Sequence, residues 1–450
     1  MREVRIGRRP VRGPVGLRAA EVTALLDGPA GAYVHVPFCA RICPFCPYNK
    51  VVPAPGQAER YFAALRDEIG GYLAAGAAGS AGFTSLYVGG GTPTLFLDLL
   101  GPVLRQLPVT GERAIEVLPT HATREGLDRL QALGFTAVSI GAQSFSDAVL
   151  THLGRPHGAR AALSGVENAV GRFELVDVDL IVDVEFDDRQ AGAFLRDLER
   201  CFVLGVDQVS TYPLMRFGYT PFGRAHHDRL REHEVLAAAS AIAARHGYER
   251  RSVWTFNRRD APAYTSITRR RFLGFGAGAT SFLGRDFLVN HFGVETYIEA
   301  VADDHQPIAR RLRLGAPGGM VYDAFWQAYA GGIAPTALRQ AYGGWVGLLR
   351  GPLAAGAGLG WLQRPGPDGR WMLTRRGFDR YHDLERWVTY RMIEPLWAEM
   401  LAEHRQEGRV TWAEPAAARG GRPWRALAAI LERGGSSIND VVPGARPGAG

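Results

Sequence analysis

Short β-branched and apolar runs recur along the first half of the chain, at 32–37, 85–88, 114–119, 137–142, 175–184 and 208–214. Between them lie amphipathic stretches at 59–73, 124–133, 159–170 and 190–204, whose apolar residues fall three and four positions apart. Strand and helix alternating at this spacing predict βαβ units and a parallel sheet. Three cysteines follow the first run, glycines 89–91 the second and Gln143 the fourth. In a closed or partly closed α/β barrel that is the rim on which sites are built. From about Leu312 the pattern changes. Helical stretches at 320–329 and 335–341 lead to 359–363, a turn at 365–369, a short run at 370–373 and a long helix from Arg376.

The fold class that follows is α/β: a partial barrel over 31–305, then a mainly helical, winged-helix-like domain over 306–433 that serves as a lid or support. Residues 1–30 form an N-terminal arm and 434–450 a flexible tail, both rich in Gly and Pro. No repeat of solenoid type is present.

At 450 residues the chain suits one large catalytic domain with smaller additions, and 46% hydrophobic with 22% charged residues excludes wholesale disorder. No apolar run reaches the roughly 20 residues that cross a bilayer. The Arg-rich start lacks the apolar stretch of a secretory signal. A cytoplasmic protein with no membrane partner is expected. The net charge of +7 is carried almost wholly by arginine, Lys50 being the only lysine. With abundant Ala and Gly this reads as coding bias and a solvated surface, so no nucleic-acid partner is expected; Arg269, Arg270 and Arg271 are the densest basic group.

Three of the four cysteines, Cys39, Cys43 and Cys46, fall within eight residues. A secreted disulfide framework would spread its cysteines along the chain. Crowding points to metal or redox chemistry, and the distant Cys201 is expected to be a buried small apolar residue. A cubane iron–sulfur cluster is commonly held by four thiolates. Three leave one iron open to a chelating ligand, and the amino and carboxylate groups of S-adenosylmethionine (SAM) supply one. Zinc held by the cysteines with His35 is the competing reading of the spacing alone. The Pro-Phe before Cys39, Phe45 before Cys46 and the later Gly-rich turn point away from it.

These features together resemble the radical SAM superfamily, whose hallmark is the C-x3-C-x2-C loop, and imply a (β/α)6-type radical SAM barrel holding a [4Fe-4S] cluster on Cys39, Cys43 and Cys46. More narrowly the chain is similar to the oxygen-independent coproporphyrinogen III oxidase family. The likeness runs through Tyr33-Val-His-Val-Pro-Phe-Cys39, Asn49-Lys50, Gly89-Gly-Gly-Thr-Pro93, Glu116, Ser139-Ile-Gly-Ala-Gln143, Gly154-Arg155-Pro-His157, Asp179-Leu-Ile and Gly274-Phe-Gly-Ala-Gly-Ala-Thr-Ser281. It implies that Tyr33, Phe45, Gly90 and Glu116 surround the cluster-bound SAM. It further implies that Gly91, Thr92, Gln143, Arg155, Asp179 and Met215 hold a second SAM beside the first. Without the likeness, Arg155 and Asp179 read as a structural ion pair, Thr92 as a turn residue, and His121 and His157 as surface or supporting histidines.

Departures fall where substrate is read. Tyr48 stands where a further cysteine is expected, 182–186 reads Val-Asp-Val-Glu-Phe in place of a Gly-Leu-Pro turn, and 251–256 lacks an acidic-His pattern. That profile resembles the class C radical SAM methyltransferases of natural-product biosynthesis. Their chemistry uses a 5′-deoxyadenosyl radical from one SAM to activate the methyl group of the other, and adds it to an sp2 carbon of an aromatic or heteroaromatic small molecule. An electron donor such as flavodoxin or ferredoxin is implied. Trp254, Phe256, Tyr212 and Phe217 are candidates to line the pocket or to pack the core. Coproporphyrinogen decarboxylation and heme chaperoning are the alternative activities. The likeness assigns neither the residue that removes the final proton nor the oligomeric state.

Overall fold

Six strands pair parallel in chain order: β1 (Gly31–Val36), β2 (Leu86–Gly90), β3 (Arg113–Val117), β4 (Ala137–Gln143), β5 (Leu175–Val182) and β6 (Gln208–Pro213). Helices Gln57–Ala74, Leu97–Leu104, Arg124–Ala132, Ala159–Ala169 and Asp188–Leu204 connect them, as the alternation requires. These elements belong to a computed structural model that describes residues 16–26, 28–182, 188–223, 229–262, 271–303 and 306–401. Residues 1–15, the tail 434–450, Arg269, Arg270 and most of the 182–186 departure lie outside the described residues.

One face of each strand is apolar. Val34, Val36, Val88, Ile115, Val138, Ile140, Val176, Val178 and Leu180 are no more than 1% exposed and pack in one core with residues of the surrounding helices. Complete burial of each such side chain stabilises by about 1.5–3 kcal/mol, which sets strand register firmly. The opposite face is the polar one: Tyr33 and His35 on β1, Tyr87 on β2, Glu116 on β3, Ser139 on β4, Asp177 and Asp179 on β5, and Ser210 on β6. The barrel interior is thus lined by residues that compete poorly for an apolar core, and its wall is defined by the period-2 alternation.

The sheet extends beyond the six expected strands and stays open. β7 (Tyr248–Arg250) and β8 (Thr255–Arg258) add antiparallel beside β6. On the other side β9 (Phe272–Phe275) pairs parallel with β1, and β10 (Thr280–Leu283), β11 (Asp286–Asn290) and β12 (Ile308–Arg313) follow antiparallel. A partial barrel is therefore what forms. After it come the helices Ala316–Tyr329, Pro335–Tyr342 and Arg350–Gly358, and Gly332–Ile333 pairs antiparallel with Trp371–Met372. The 359–363 and 370–373 segments meet only at the bridge Leu362–Leu373, because Trp371 and Met372 are drawn to Gly332 and Ile333. Thr374 then caps helix Arg375–Val388 by accepting from Gly377 N–H. The chain continues through a π-turn, Thr389–Ile393, into Glu394–Met400.

Candidate radical and cofactor site

The cysteine loop is fixed by main-chain hydrogen bonds. Cys39 N–H donates to Val51 O at 3.0 Å, Val51 N–H to Pro37 O at 2.7 Å and Cys46 N–H to Cys43 O at 3.2 Å. Gly91 N–H donates to Val36 O at 2.8 Å and Thr92 N–H to Phe38 O at 2.7 Å, so the two loops run side by side. A Cβ on Gly91 would stand 2.5 Å from Phe38 O. Gly90 has φ +117°, and a Cβ there would stand 2.7 Å from His35 Cε1. Lys50, unmarked as functional by the sequence pattern, is 2% exposed and donates through Nζ to Cys46 O at 2.6 Å and to Tyr48 O at 3.3 Å.

His35 does not point to zinc. One ring nitrogen meets Tyr33 Oη at 2.7 Å and the other Asn49 O at 2.9 Å. Burial pushes its pKa down to about 4, which keeps the ring neutral. Asn49 in turn donates to Ala277 O and Phe292 O, both at 3.0 Å, tying the loop to the strand β9 end of the sheet. His35 is a brace whose two nitrogens are already engaged.

Around the interior, Tyr33, Gly90 and Glu116 are joined through Tyr87 in one run of contacts. Tyr33 stacks on Tyr87 with centroids 6.1 Å apart. Tyr87 Oη donates to Glu116 Oε1 at 2.8 Å, and Gly90 N–H donates to Glu116 Oε2 at 3.1 Å. Burial raises the Glu116 carboxyl to about 6 in spite of both bonds. The Thr92 hydroxyl donates to Cys39 Sγ at 3.6 Å. Arg155 donates to Cys43 Sγ at 3.4 Å, Gly141 O at 2.8 Å and His157 Nε2 at 3.3 Å. Gln143, at φ +68°, is the one non-glycine with positive φ among the described residues, and sits where the β4–β5 register slips. Strain of that kind concentrates at functional positions.

Asp179 accepts from Ser139 Oγ at 3.0 Å. Its carboxyl is held well above the usual range, first by burial and then by Asp177 and Glu116, while Arg155 pulls the other way. Arg155 bonds elsewhere, so the purely structural Arg155–Asp179 ion pair is not formed. Asp177, which the sequence reading passed over, accepts from Ser210 at 2.7 Å and Gln208 at 2.9 Å and is raised to about 6 by burial. Phe45 packs against Val149, Leu153, Ile181 and Leu214. Met215 packs beside Phe217, Tyr219 and Trp397.

The open side of the interior is closed by the C-terminal region. Trp397 stacks on Phe217 at 6.3 Å and tilts against Tyr48 at 5.8 Å. Gly218 N–H donates to Glu394 Oε1 at 2.5 Å, Arg216 N–H to Tyr390 Oη at 3.2 Å, and Tyr219 Oη to Pro47 O at 3.2 Å. Trp254 Nε1 donates to Glu385 Oε2 at 2.8 Å, and burial raises the Glu385 carboxyl to about 8. Of the four aromatic candidates, Phe256 is completely buried in the helix-side core against Phe202 and does not line the interior. Cys201 is buried in the same core.

Residues 33–191 match the Radical SAM superfamily. Heme chaperone HemW of Mycobacterium tuberculosis is 32% identical over 322 residues, covering 64% of this chain and 78% of that protein. The chain belongs to the radical SAM superfamily, on its HemW- and HemN-like branch. Heme chaperone HemW of Bacillus subtilis is 28% identical over 300 residues, covering 61% of this chain and 77% of that protein. The oxygen-independent coproporphyrinogen III oxidase of Escherichia coli is 26% identical over 322 residues, covering 64% and 69%. The solved structure of coproporphyrinogen III oxidase (HemN) from E. coli superimposes with a TM-score of 0.67 at 21% identity, over 81% of this chain and 92% of that one, which shows a shared fold.

A radical SAM domain implies a [4Fe-4S] cluster and SAM, and the residues present suit both. Thr92 and Arg155 aim donors at two of the three sulfurs, as anionic thiolates require. Burial raises the Cys39 thiol to about 11, so its ionisation calls for a neighbouring positive charge of the kind a bound metal supplies. The carboxyls of Glu116 and Asp179 suit an amino group and ribose hydroxyls, and Gly90 and Gly91 let the glycine turn lie against His35 and the Phe38 carbonyl of the cysteine loop. No helix among the described residues is long and apolar enough to cross a membrane.

Proposed function

We propose that this chain is a radical SAM methyl- or methylene-transferring enzyme, with the cluster on Cys39, Cys43 and Cys46, two SAM molecules in the barrel, and an aromatic or heteroaromatic natural product as acceptor. When bound, the cluster supplies the electron that cleaves one SAM to a 5′-deoxyadenosyl radical, and the other SAM supplies the carbon transferred. The observation that carries the reading is a ring of half-accessible residues among buried ones: Tyr33, Tyr87, Glu116, Gly141, Gln143, Asp179 and Tyr212. Tyr33, Glu116 and Gly90 form one set of contacts. Thr92, Gln143, Arg155 and Asp179, with Gly91 and Met215, are assigned to the second SAM; Thr92 and Arg155 reach the Cys39 and Cys43 sulfurs, which supports this. Two ligands of one chemistry, each with an amino acid tail and a ribose, match these two assignments.

The acceptor side supports an uncharged scaffold. Glu385, neutral below about pH 8, stands there with Trp254. Arg386 is engaged by Glu232 at 3.0 Å, and buried Arg250 by Val253 O at 2.7 Å. A cytoplasmic address and a flavodoxin- or ferredoxin-type electron donor accompany the reading.

Similarity to heme chaperone HemW favours a second reading, heme retention at the same face. Anaerobically reconstituted protein given SAM, dithionite and a panel of heteroaromatic acceptors separates the two. S-adenosylhomocysteine formed together with 5′-deoxyadenosine and a methylated acceptor supports transfer. Stoichiometric heme retention without turnover, or carbon dioxide from coproporphyrinogen, overturns it.

A further inference from the structure

Lys50 is the only lysine of the 450 residues, and it is buried. Placing an ammonium in the interior costs several kcal/mol before its interactions are counted, and a neutral residue of equal length would fill the space without that cost. Two of its hydrogen bonds end on carbonyl oxygens of the cysteine loop, Cys46 O at 2.6 Å and Tyr48 O at 3.3 Å. The ammonium is thereby held on the main-chain carbonyl of Cys46 itself. The loop is also closed by neighbours that cannot move away: Asn49 is locked on Ala277 O and Phe292 O, and Val51 pairs with Phe38.

A cubane on three thiolates carries one net negative charge when oxidised and two when reduced. A fixed cation in a medium of low dielectric constant favours the more negative of these. We propose that Lys50 raises the reduction potential of the cluster by placing this buried positive charge against the third cysteine, so that a low-potential one-electron donor of flavodoxin or ferredoxin type can fill it. The step is the transfer of one electron from that donor to the oxidised cluster, with no bond made or broken. Lys50 is a positioning residue for charge, held through main-chain carbonyl oxygens of the cysteine loop. The proposal rests on the cluster assignment to Cys39, Cys43 and Cys46 and is independent of the acceptor's identity.

The test is an EPR-monitored redox titration of the full chain, reconstituted anaerobically, in wild type and in Lys50→Met, Lys50→Gln and Lys50→Arg, with iron and sulfide counted in each. At the wild-type midpoint potential, Met and Gln variants that hold a full cluster are expected to show at least a ten-fold lower ratio of reduced to oxidised cluster. For a one-electron couple that corresponds to about 59 mV. Lys50→Arg, which keeps the charge, is expected to stay near the wild-type midpoint. A neutral variant with a full cluster and an unshifted midpoint overturns the proposal. Failure of both neutral variants to hold a cluster overturns it equally, by assigning Lys50 to the folding of the loop. A wild type that takes up no cluster at all would instead sink the assignment of the three cysteines.

Discussion

The cysteine end of the barrel and the C-terminal cover meet at the same opening and are built by opposite means. The cysteine end is held by main chain. Cys39, Gly91, Thr92 and Val51 are placed by backbone hydrogen bonds, and glycines stand where a Cβ would strike a neighbouring carbonyl or ring. The cover is held by side chains. Buried Glu232 on helix Arg229–Arg245 accepts from His382 at 2.8 Å and Arg386 at 3.0 Å on helix Arg375–Val388, and Trp254 reaches Glu385 of the same helix. Backbone geometry tolerates few sequences, whereas a side-chain contact can be exchanged pair by pair. A fold built this way can keep one cofactor chemistry while its acceptor wall changes.

The sharpest break of this contrast is at the cysteines. Cys46→Ala is expected to abolish cluster binding and 5′-deoxyadenosine formation while leaving the circular dichroism of the fold in place, with iron counted after anaerobic reconstitution. Next in size is Arg386→Met, which removes one partner of a buried ion pair and is expected to cost about 3–5 kcal/mol. Urea denaturation measures that loss, and the variant's cluster should keep the wild-type EPR signal. A Met variant that unfolds at wild-type urea concentrations would show that the cover is held by packing alone.

The same division explains what could be read in advance. Strand and helix order from 32 to 214 followed from periodicity because each strand turns one apolar face to the helices, and the cysteines, glycines and Glu116 stand at strand ends. Asp177 and Asp179 are both visible as polar positions in the otherwise apolar Leu175–Val182, but only Asp179 falls in the family likeness, and nothing local to the sequence distinguishes the two carboxyls. Glu385 left no trace. It lies on a helix whose alternation of Arg, Asp and Glu with apolar residues reads as a solvated face, and its burial depends on Trp254, 131 residues earlier. Strands β7–β12 are not legible in advance because no regular alternation with amphipathic helices marks them as it marks β1–β6; β7 and β8, and β9 to β11, follow one another through short turns.

A pair of glycines sharpens the comparison further. Gly90→Ala adds a Cβ 2.7 Å from His35 Cε1 at φ +117°, and His35 is fixed by Tyr33 and Asn49. A strained backbone of this kind costs about 1–3 kcal/mol, and the cluster loop is expected to lose iron as well as thermal stability. Gly360 of the C-terminal region has φ +71° with nothing within 4 Å of its Cβ position. Gly360→Ala meets only the left-handed backbone cost of about 1–2 kcal/mol, with full iron content. Equal iron loss in both variants would erase the distinction between the two regions.

The smallest effect is a pH slope. The Glu385 carboxyl keeps its proton up to about pH 8 in the folded protein, whereas its ordinary value is 4.5. Between these two values the unfolded chain binds fewer protons than the folded one, so this group's contribution to stability is complete below about 4.5 and declines as pH rises towards 8. Glu116 and Asp177, at about 6, and Glu68, at about 7, act with the same sign but finish earlier. The interval from pH 7 to 8 therefore reports chiefly on Glu385 within this set, with a limit of about 1.4 kcal/mol per pH unit for one proton. Glu385→Gln cannot ionise and still offers an oxygen to Trp254. Melting temperatures taken at pH 6, 7 and 8 should fall less steeply in the variant than in wild type over the last step. Parallel slopes would place the Glu385 carboxyl in water and remove the neutral acid from the acceptor wall.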